Sequence, residues 1–219
     1  SVLDSPTNTF ATLNPLDVNA DGISTITDGN LKSTHLSASW RQTRSTFYLK
    51  TGKWYWEVYI INKTTIQVGV VQNTYAGGVG QRRMYQDNTL KYSSSSSTYG
   101  TAFNVGDVIG IFLNLDDGEI TFFNNGTSKG VAFTDLLTSI DSTGWTPALI
   151  QNDSDGYVNF GADSLFGGNK TSGSANATDS GGIGDFYYKP VTSGTYSSSD
   201  ESNVVSEFKA LCTSNIQSD

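Results

Sequence analysis

The stretch GDVIGIFLNLDDGEITFFNNGTSKGVAF, residues 106–133, decides the fold of this 219-residue chain. Val108, Ile109, Ile111, Phe112, Leu113 and Leu115 form an apolar run that reads as a strand buried on both sides. Asp117-Gly118 and then Asn125-Gly126 supply the left-handed backbone that short hairpin turns need. Between the turns Ile120, Phe122 and Phe123 keep strand composition, and Val131 to Phe133 resumes it. Three antiparallel strands joined in this way are built to pack sheet on sheet, so the expected class is all-β. No group in the stretch is placed for catalysis, which points towards binding.

The same pattern extends on both sides. From Lys53 to Ile61, Trp54, Trp56, Val58 and Ile60 point one way and Tyr55, Glu57 and Tyr59 the other, which predicts a half-buried strand. Ile66 to Val71 is expected to pair back on it across a turn at Asn62-Lys63-Thr64. Asn30 to Trp40 reads as one interrupted strand and Ser45 to Lys50 as a short one. Trp145 to Ile150 and Tyr157 to Phe160 read as two more. Trp40, Trp54, Trp56 and Trp145 carry the largest apolar area, and those at alternating positions are expected in the core.

Gln72 to Tyr99 breaks the pattern with Gly77-Gly78, Gly80 and the tract Ser93 to Ser97, and reads as a long loop. Within it Tyr75, Arg82, Arg83, Tyr85, Tyr92 and Tyr99 mix rigid aromatic and polar groups in the way recognition loops do. They are the candidate binding residues. At the start of the chain Phe10 and Leu13 anchor an arm. After Gly161 the polar stretches Gly167 to Gly184 and Thr192 to Ser202 cannot fold alone. The late apolar cluster Val204, Val205, Phe208, Ala210 and Leu211 implies that the tail returns to dock. The expected division is an arm with the first strands (1–29), a sandwich core (30–161) and a Gly/Ser/Asn-rich extension (162–219). Because the chain begins at Ser1, it reads as processed or excised from something longer.

Lys and Arg total 13 against 21 Asp and Glu, so the net charge of −8 disfavours nucleic acid and anionic membranes as partners. No stretch is long and apolar enough for membrane insertion as a helix. Cys212 is the single cysteine, which excludes an internal disulfide. The four glutamates form no visible pair of the kind a glycosidase sets roughly 5 to 9 Å apart. His35, the sole histidine, lies in a strand pattern without a nucleophile motif. No catalytic residue is nominated, and no enzyme is expected. Asp17-Val18-Asn19-Ala20-Asp21-Gly22 matches the first half of a calcium loop, with Asp17, Asn19, Asp21 and the twelfth-position Asp28 as metal candidates. Asp28 is shorter than the glutamate expected there, and a polar turn explains the stretch as well. Calcium is the one cofactor left open.

Gly52-Lys53-Trp54-Tyr55-Trp56-Glu57-Val58, Val68-Gly69-Val70, the 106–133 block, Gly144-Trp145-Thr146-Pro147-Ala148 and Val158-Asn159-Phe160-Gly161 resemble the SPRY domain in order and spacing. Phe208-Lys209-Ala210-Leu211-Cys212 looks like the family's closing strand, displaced by a long polar insertion. Thr7 to Asp17, Gly182 to Tyr188 and Ala210 to Thr213 are similar to SPRY-like segments in structural proteins of tailed bacteriophages. The resemblance implies a bent two-sheet antiparallel β-sandwich, SPRY or concanavalin-like, that binds through loops and has no activity of its own. It implies a fibre, spike or appendage of a phage virion, in contact with other virion proteins or a host cell-surface receptor, glycan or protein. In that setting a homo-oligomer, a trimer among the options, is expected. The alternatives are a cellular SPRY adaptor that grips a short peptide and a glycan-cleaving sandwich enzyme.

Overall fold

The computed structural model describes residues 8–17, 24–72, 82–171 and 177–216. Its strands are β1 (Thr25–Thr27), β2 (Lys32–His35), β3 (Arg41–Arg44), β4 (Lys53–Gln72), β5 (Arg82–Gln86), β6 (Leu90–Tyr92) and β7 (Ser96–Thr98). They continue with β8 (Val108–Asn114), β9 (Glu119–Asn124), β10 (Thr127–Phe133), β11 (Trp145–Asn159), β12 (Ala177–Thr178) and β13 (Asp185–Phe186). A single helical turn, α1 (Thr213–Ile216), follows near the end.

Two long strands organise everything else. β4 and β11 pair antiparallel from Trp145 opposite Gln72 to Asn159 opposite Glu57. The first half of β4 also pairs with β8, and its second half with β5. One layer therefore runs β1-β2-β11-β4-β8-β9-β10 and the other β3-β11-β4-β5-β6-β7. The shared pair creases near its middle, where Asp153 takes a φ of 46° and the register shifts between Asp155 and Gly156. A bulge of this kind bends a strand without ending its ladder.

The crease brings two apolar faces together. Trp56, Val58 and Ile60 from one half of β4 share a core with Ile66, Val68 and Val70 from the other, and with Ile109, Ile111 and Leu113 of β8. Tyr85 of β5 meets Phe122 of β9 across the layers, ring centroids 5.4 Å apart. Each such side chain, fully removed from water, contributes about 1.5–3 kcal/mol. The expected all-β sandwich is the observed architecture, and the hairpins at Asp117-Gly118 and Asn125-Gly126 lie where the 106–133 stretch places them.

Several local expectations are corrected. Asn62-Lys63-Thr64 is no turn: β4 runs straight through it, because each half of the strand finds its partner in β11 and not in the other half. For the same reason Trp145 to Asn159 is one strand and not two. The described part of Gln72 to Tyr99 is a three-strand meander, β5-β6-β7, with serines 96 and 97 on an exposed edge strand. Ser45 to Lys50 is no strand: Ser45 bridges Leu13 of the arm and donates to the Pro147 carbonyl, and Leu49 bridges Trp145.

The β4 segment read as half-buried is buried on both faces. Tyr55 is sealed against Phe123, Phe186 and Phe208 in edge-on contacts of 6.2, 5.1 and 5.7 Å. These rings belong to a second cluster with Phe10, Ala210 and Cys212, which covers the outer face of the first layer. Glu57, also fully buried, accepts the backbone N–H groups of Tyr187 and Tyr188, each at 2.7 Å. The Asn159 amide at 3.2 Å and the Tyr55 hydroxyl at 3.4 Å complete its shell. The tail thus docks through an aromatic cluster and one buried carboxyl.

Candidate functional site

The second layer presents its outer face differently. Strand alternation and register align Gln42, Ile150, Gln67 and Gln86 in one row across β3, β11, β4 and β5. The next row holds Arg44, Ala148, Gly69, Met84 and Tyr92. Val71, Met84, Ala148 and Ile150, with Tyr92 against them, form an apolar cluster separate from the main core.

A groove of about 500 Å³ lies on this face, walled by Trp40, Thr65, Gln67, Arg82, Gln86, Tyr92 and Ile150. Trp40 is 45% exposed, and Leu36, on the same β2–β3 connection, is 67% exposed. The Arg82 guanidinium sits 5.1 Å from the Tyr92 ring centroid and donates to the Ser93 carbonyl and to Gln67 Oε1. Gln67 Nε2 donates in turn to Gln86 Oε1 at 2.7 Å. An accessible tryptophan beside a stacked arginine–tyrosine pair, over an apolar floor, is the residue chemistry that anchors protein partners. The two glutamine amides beneath it are buried and hydrogen-bonded to each other and to Arg82, which fixes the groove wall.

Of the sequence candidates, the structure gathers Arg82 and Tyr92 on this groove. Tyr75 lies outside the described residues. Arg83, Tyr85 and Tyr99 are corrected from loop positions to buried ones. The reason is the alternation of β5: Arg82, Met84 and Gln86 lie on the side away from the main core, so Arg83 and Tyr85 lie on the core side. Tyr85 packs among Tyr99, Phe103 and Phe122, and the Tyr99 hydroxyl donates to the Gly130 carbonyl at 2.6 Å. Sequence reasoning missed Trp40, Gln67, Gln86 and Ile150 as groove residues and expected Trp40 in the core. The small-residue run Ser37-Ala38-Ser39 before it was the available signal that the strand had ended.

Arg83 has a structural task. Its guanidinium pairs in fork geometry with Asp135 at 2.8 and 2.6 Å and lies 5.5 and 5.3 Å from the Phe133 and Trp145 ring centroids. This pairing holds the Asp135 carboxyl below the usual aspartate range. Lysine cannot reproduce a planar fork between rings. Arg83→Lys is expected to lower the melting temperature by about 5 °C, as a loss of ~1–2 kcal/mol would in a chain of this size. An unchanged melting curve by circular dichroism would refute the assignment.

Two of the four metal candidates, Asp17 and Asp28, are among the described residues. Both oxygens of Asp17 accept from the Arg44 guanidinium, and Asp28 sits in the β1–β2 turn. Asn19 and Asp21 lie outside the described residues, and among those described no three acidic, His or Cys side chains converge as a metal group. His35 keeps one ring nitrogen on the Ser39 carbonyl at 2.8 Å, which fixes the connection carrying Trp40.

Residues 53–148, the span from β4 into β11, match the SPRY domain model. That span is similar to a SPRY domain. The chain is 31% identical over 120 residues to the E3 ubiquitin-protein ligase RKP of Arabidopsis thaliana, covering 51% of this chain and 9% of that protein. It is 31% identical over 127 residues to the ATP-dependent RNA helicase Ddx1 of Drosophila melanogaster, covering 56% of this chain and 17% of the helicase. The chain thus spans less than a fifth of the length of these relatives. The crystal structure of the SPRY domain of human HERC1 superposes with a TM-score of 0.58 at 18% identity, over 67% of this chain and 96% of that one. SPRY domains are protein-interaction modules in general, without catalytic chemistry of their own.

Proposed function

We propose that this chain is a non-catalytic interaction module that docks a short segment of a partner protein on the groove between Trp40 and Tyr92. The exposed indole of Trp40 beside the Arg82–Tyr92 stack carries this reading. The SPRY relatives, a ubiquitin ligase and RNA helicases of eukaryotes, support the adaptor role over a role in a virion. The test is selection of a random twelve-residue peptide library on the immobilised chain, followed by anisotropy titration of the enriched sequence. Trp40→Ala and Arg82→Ala are each expected to weaken that peptide about tenfold or more, the size expected of a hot-spot residue. A library without enrichment, or a peptide indifferent to both substitutions, removes the proposal.

A second reading has one observation in its favour. Two of the three segments that resemble phage structural proteins, Thr7 to Asp17 and Ala210 to Thr213, meet: Phe10 bridges Cys212, and Leu211 O accepts from Ala11 N at 2.8 Å. On this reading the module belongs to a fibre, spike or appendage of a virion, as a homo-oligomer that touches a host receptor or a neighbouring virion protein. Mass spectrometry of purified particles should then detect the chain in stoichiometric amount, and its absence from them would remove the reading.

A further inference from the structure

A cleft of about 540 Å³ lies away from the groove, where the N-terminal arm, the β1–β2 turn and the loop after β11 come together. Phe10, Leu31, Tyr157 and Leu165 make its lining apolar, and two carboxylates, Asp28 and Asp163, stand at it. This is the size and composition of a ligand pocket, mostly apolar with a few convergent polar groups.

The two carboxylates share a neighbour. The Tyr157 hydroxyl donates to Asp163 Oδ2 at 3.1 Å. Its phenol is pushed up first by burial, then by the charge and hydrogen bond of Asp163, and then by the charge of Asp28. Neither acid belongs to an ion pair among the described residues. Asp163 is held by its own loop, accepting from the backbone N–H of Leu165 and Gly167 at 3.2 and 2.6 Å. Lys32, opposite Tyr157 in register, pairs with neither, and Lys170 lies over Tyr59 and Tyr187. The cleft therefore joins apolar walls to uncompensated negative charge, in a chain of net charge −8.

We propose that this cleft is a second binding site, which takes a basic side chain of a protein partner, its apolar stem on Leu31 and Leu165 and its cationic head between Asp28 and Asp163. Arginine suits it best, because the guanidinium is weakly hydrated and can bridge two carboxylates. The site is independent of the Trp40 groove, and its failure leaves that reading standing.

The probes are acetyl-Leu-Arg-Leu-amide and its uncharged isostere, acetyl-Leu-citrulline-Leu-amide, titrated into the ¹⁵N-labelled chain. The arginine peptide is expected to shift the amide signals of Gly29 and Gly167, with the citrulline peptide at least fivefold weaker. Asp28→Asn should reduce arginine binding about fivefold while leaving the rest of the spectrum in place, since asparagine tolerates the positive φ of 52° at this turn. Asp163→Asn gives a second reading of the same loss. Trp40→Ala should leave the titration unchanged. Equal shifts from both peptides, or none at Gly29 and Gly167, overturn the proposal.

Discussion

Glu57→Ala is expected to lower the unfolding free energy by about 4 kcal/mol, because it removes the buried acceptor shared by four donors. The Tyr187 and Tyr188 N–H groups, the Asn159 amide and the Tyr55 hydroxyl all point at this carboxyl. A buried donor left without an acceptor costs ~1–3 kcal/mol. The melting temperature should fall by roughly 10 °C. The same group makes stability depend on pH. Burial pushes the Glu57 carboxyl up to about 8, against the downward pull of its donors. A folded-state value above the unfolded one means that the folded protein holds this proton more tightly. The contribution is complete below the unfolded value near 4.5 and is lost as pH rises from there through 8. Urea titrations at pH 5 and pH 8.5 should show the wild type losing stability relative to Glu57→Gln, whose side chain does not titrate. A difference that stays constant, or grows with pH, would falsify the assignment.

Gly69→Ala should be nearly as damaging. A Cβ at this position would lie 2.2 Å from the Arg83 carbonyl oxygen, on a backbone with φ of 152°. The obstacle is the main chain of β5, which cannot swing aside as a side chain can. Overpacking and strained backbone each cost ~1–3 kcal/mol, so a loss of ~3–5 kcal/mol is expected from urea denaturation. The damage falls on the β4–β5 ladder, which sets Gln67 opposite Gln86 and carries Arg82. Peptide binding at the groove should weaken with it. Gly156→Ala is the control: its Cβ would meet nothing closer than 3.4 Å, and its φ lies outside the left-handed region. It should leave stability within about 1 kcal/mol of the wild type. Equal tolerance of both substitutions would show that Gly69 does not lie opposite Met84 in the β4–β5 ladder.

The groove illustrates what alternation can and cannot tell. Once β5 is recognised as a strand, the sequence Arg82-Arg83-Met84-Tyr85-Gln86 divides itself into outward and inward residues. Read as a loop, the same five residues look uniformly available. The error lay in taking glycine and serine nearby as proof of irregularity, when a short edge meander tolerates both. Asp17, first of the calcium candidates, has a buried arginine to pair with, Arg44, from a strand that local spacing does not reveal.

By itself the sequence determined the all-β class, the two tight hairpins after β8 and the aromatic inner face of β4. Each of these follows from local signals, period-two alternation and turn residues that act within a few positions. The tertiary structure alone decided that β4 and β11 run unbroken through a crease, and that the outer face of the first layer is closed by the chain's own two ends. It also decided which tryptophan stays in reach of a partner. These depend on contacts between residues as far apart as Phe10 and Cys212. Pairings at such separation are set by the packing free energy of the whole sandwich, which no short window of sequence contains.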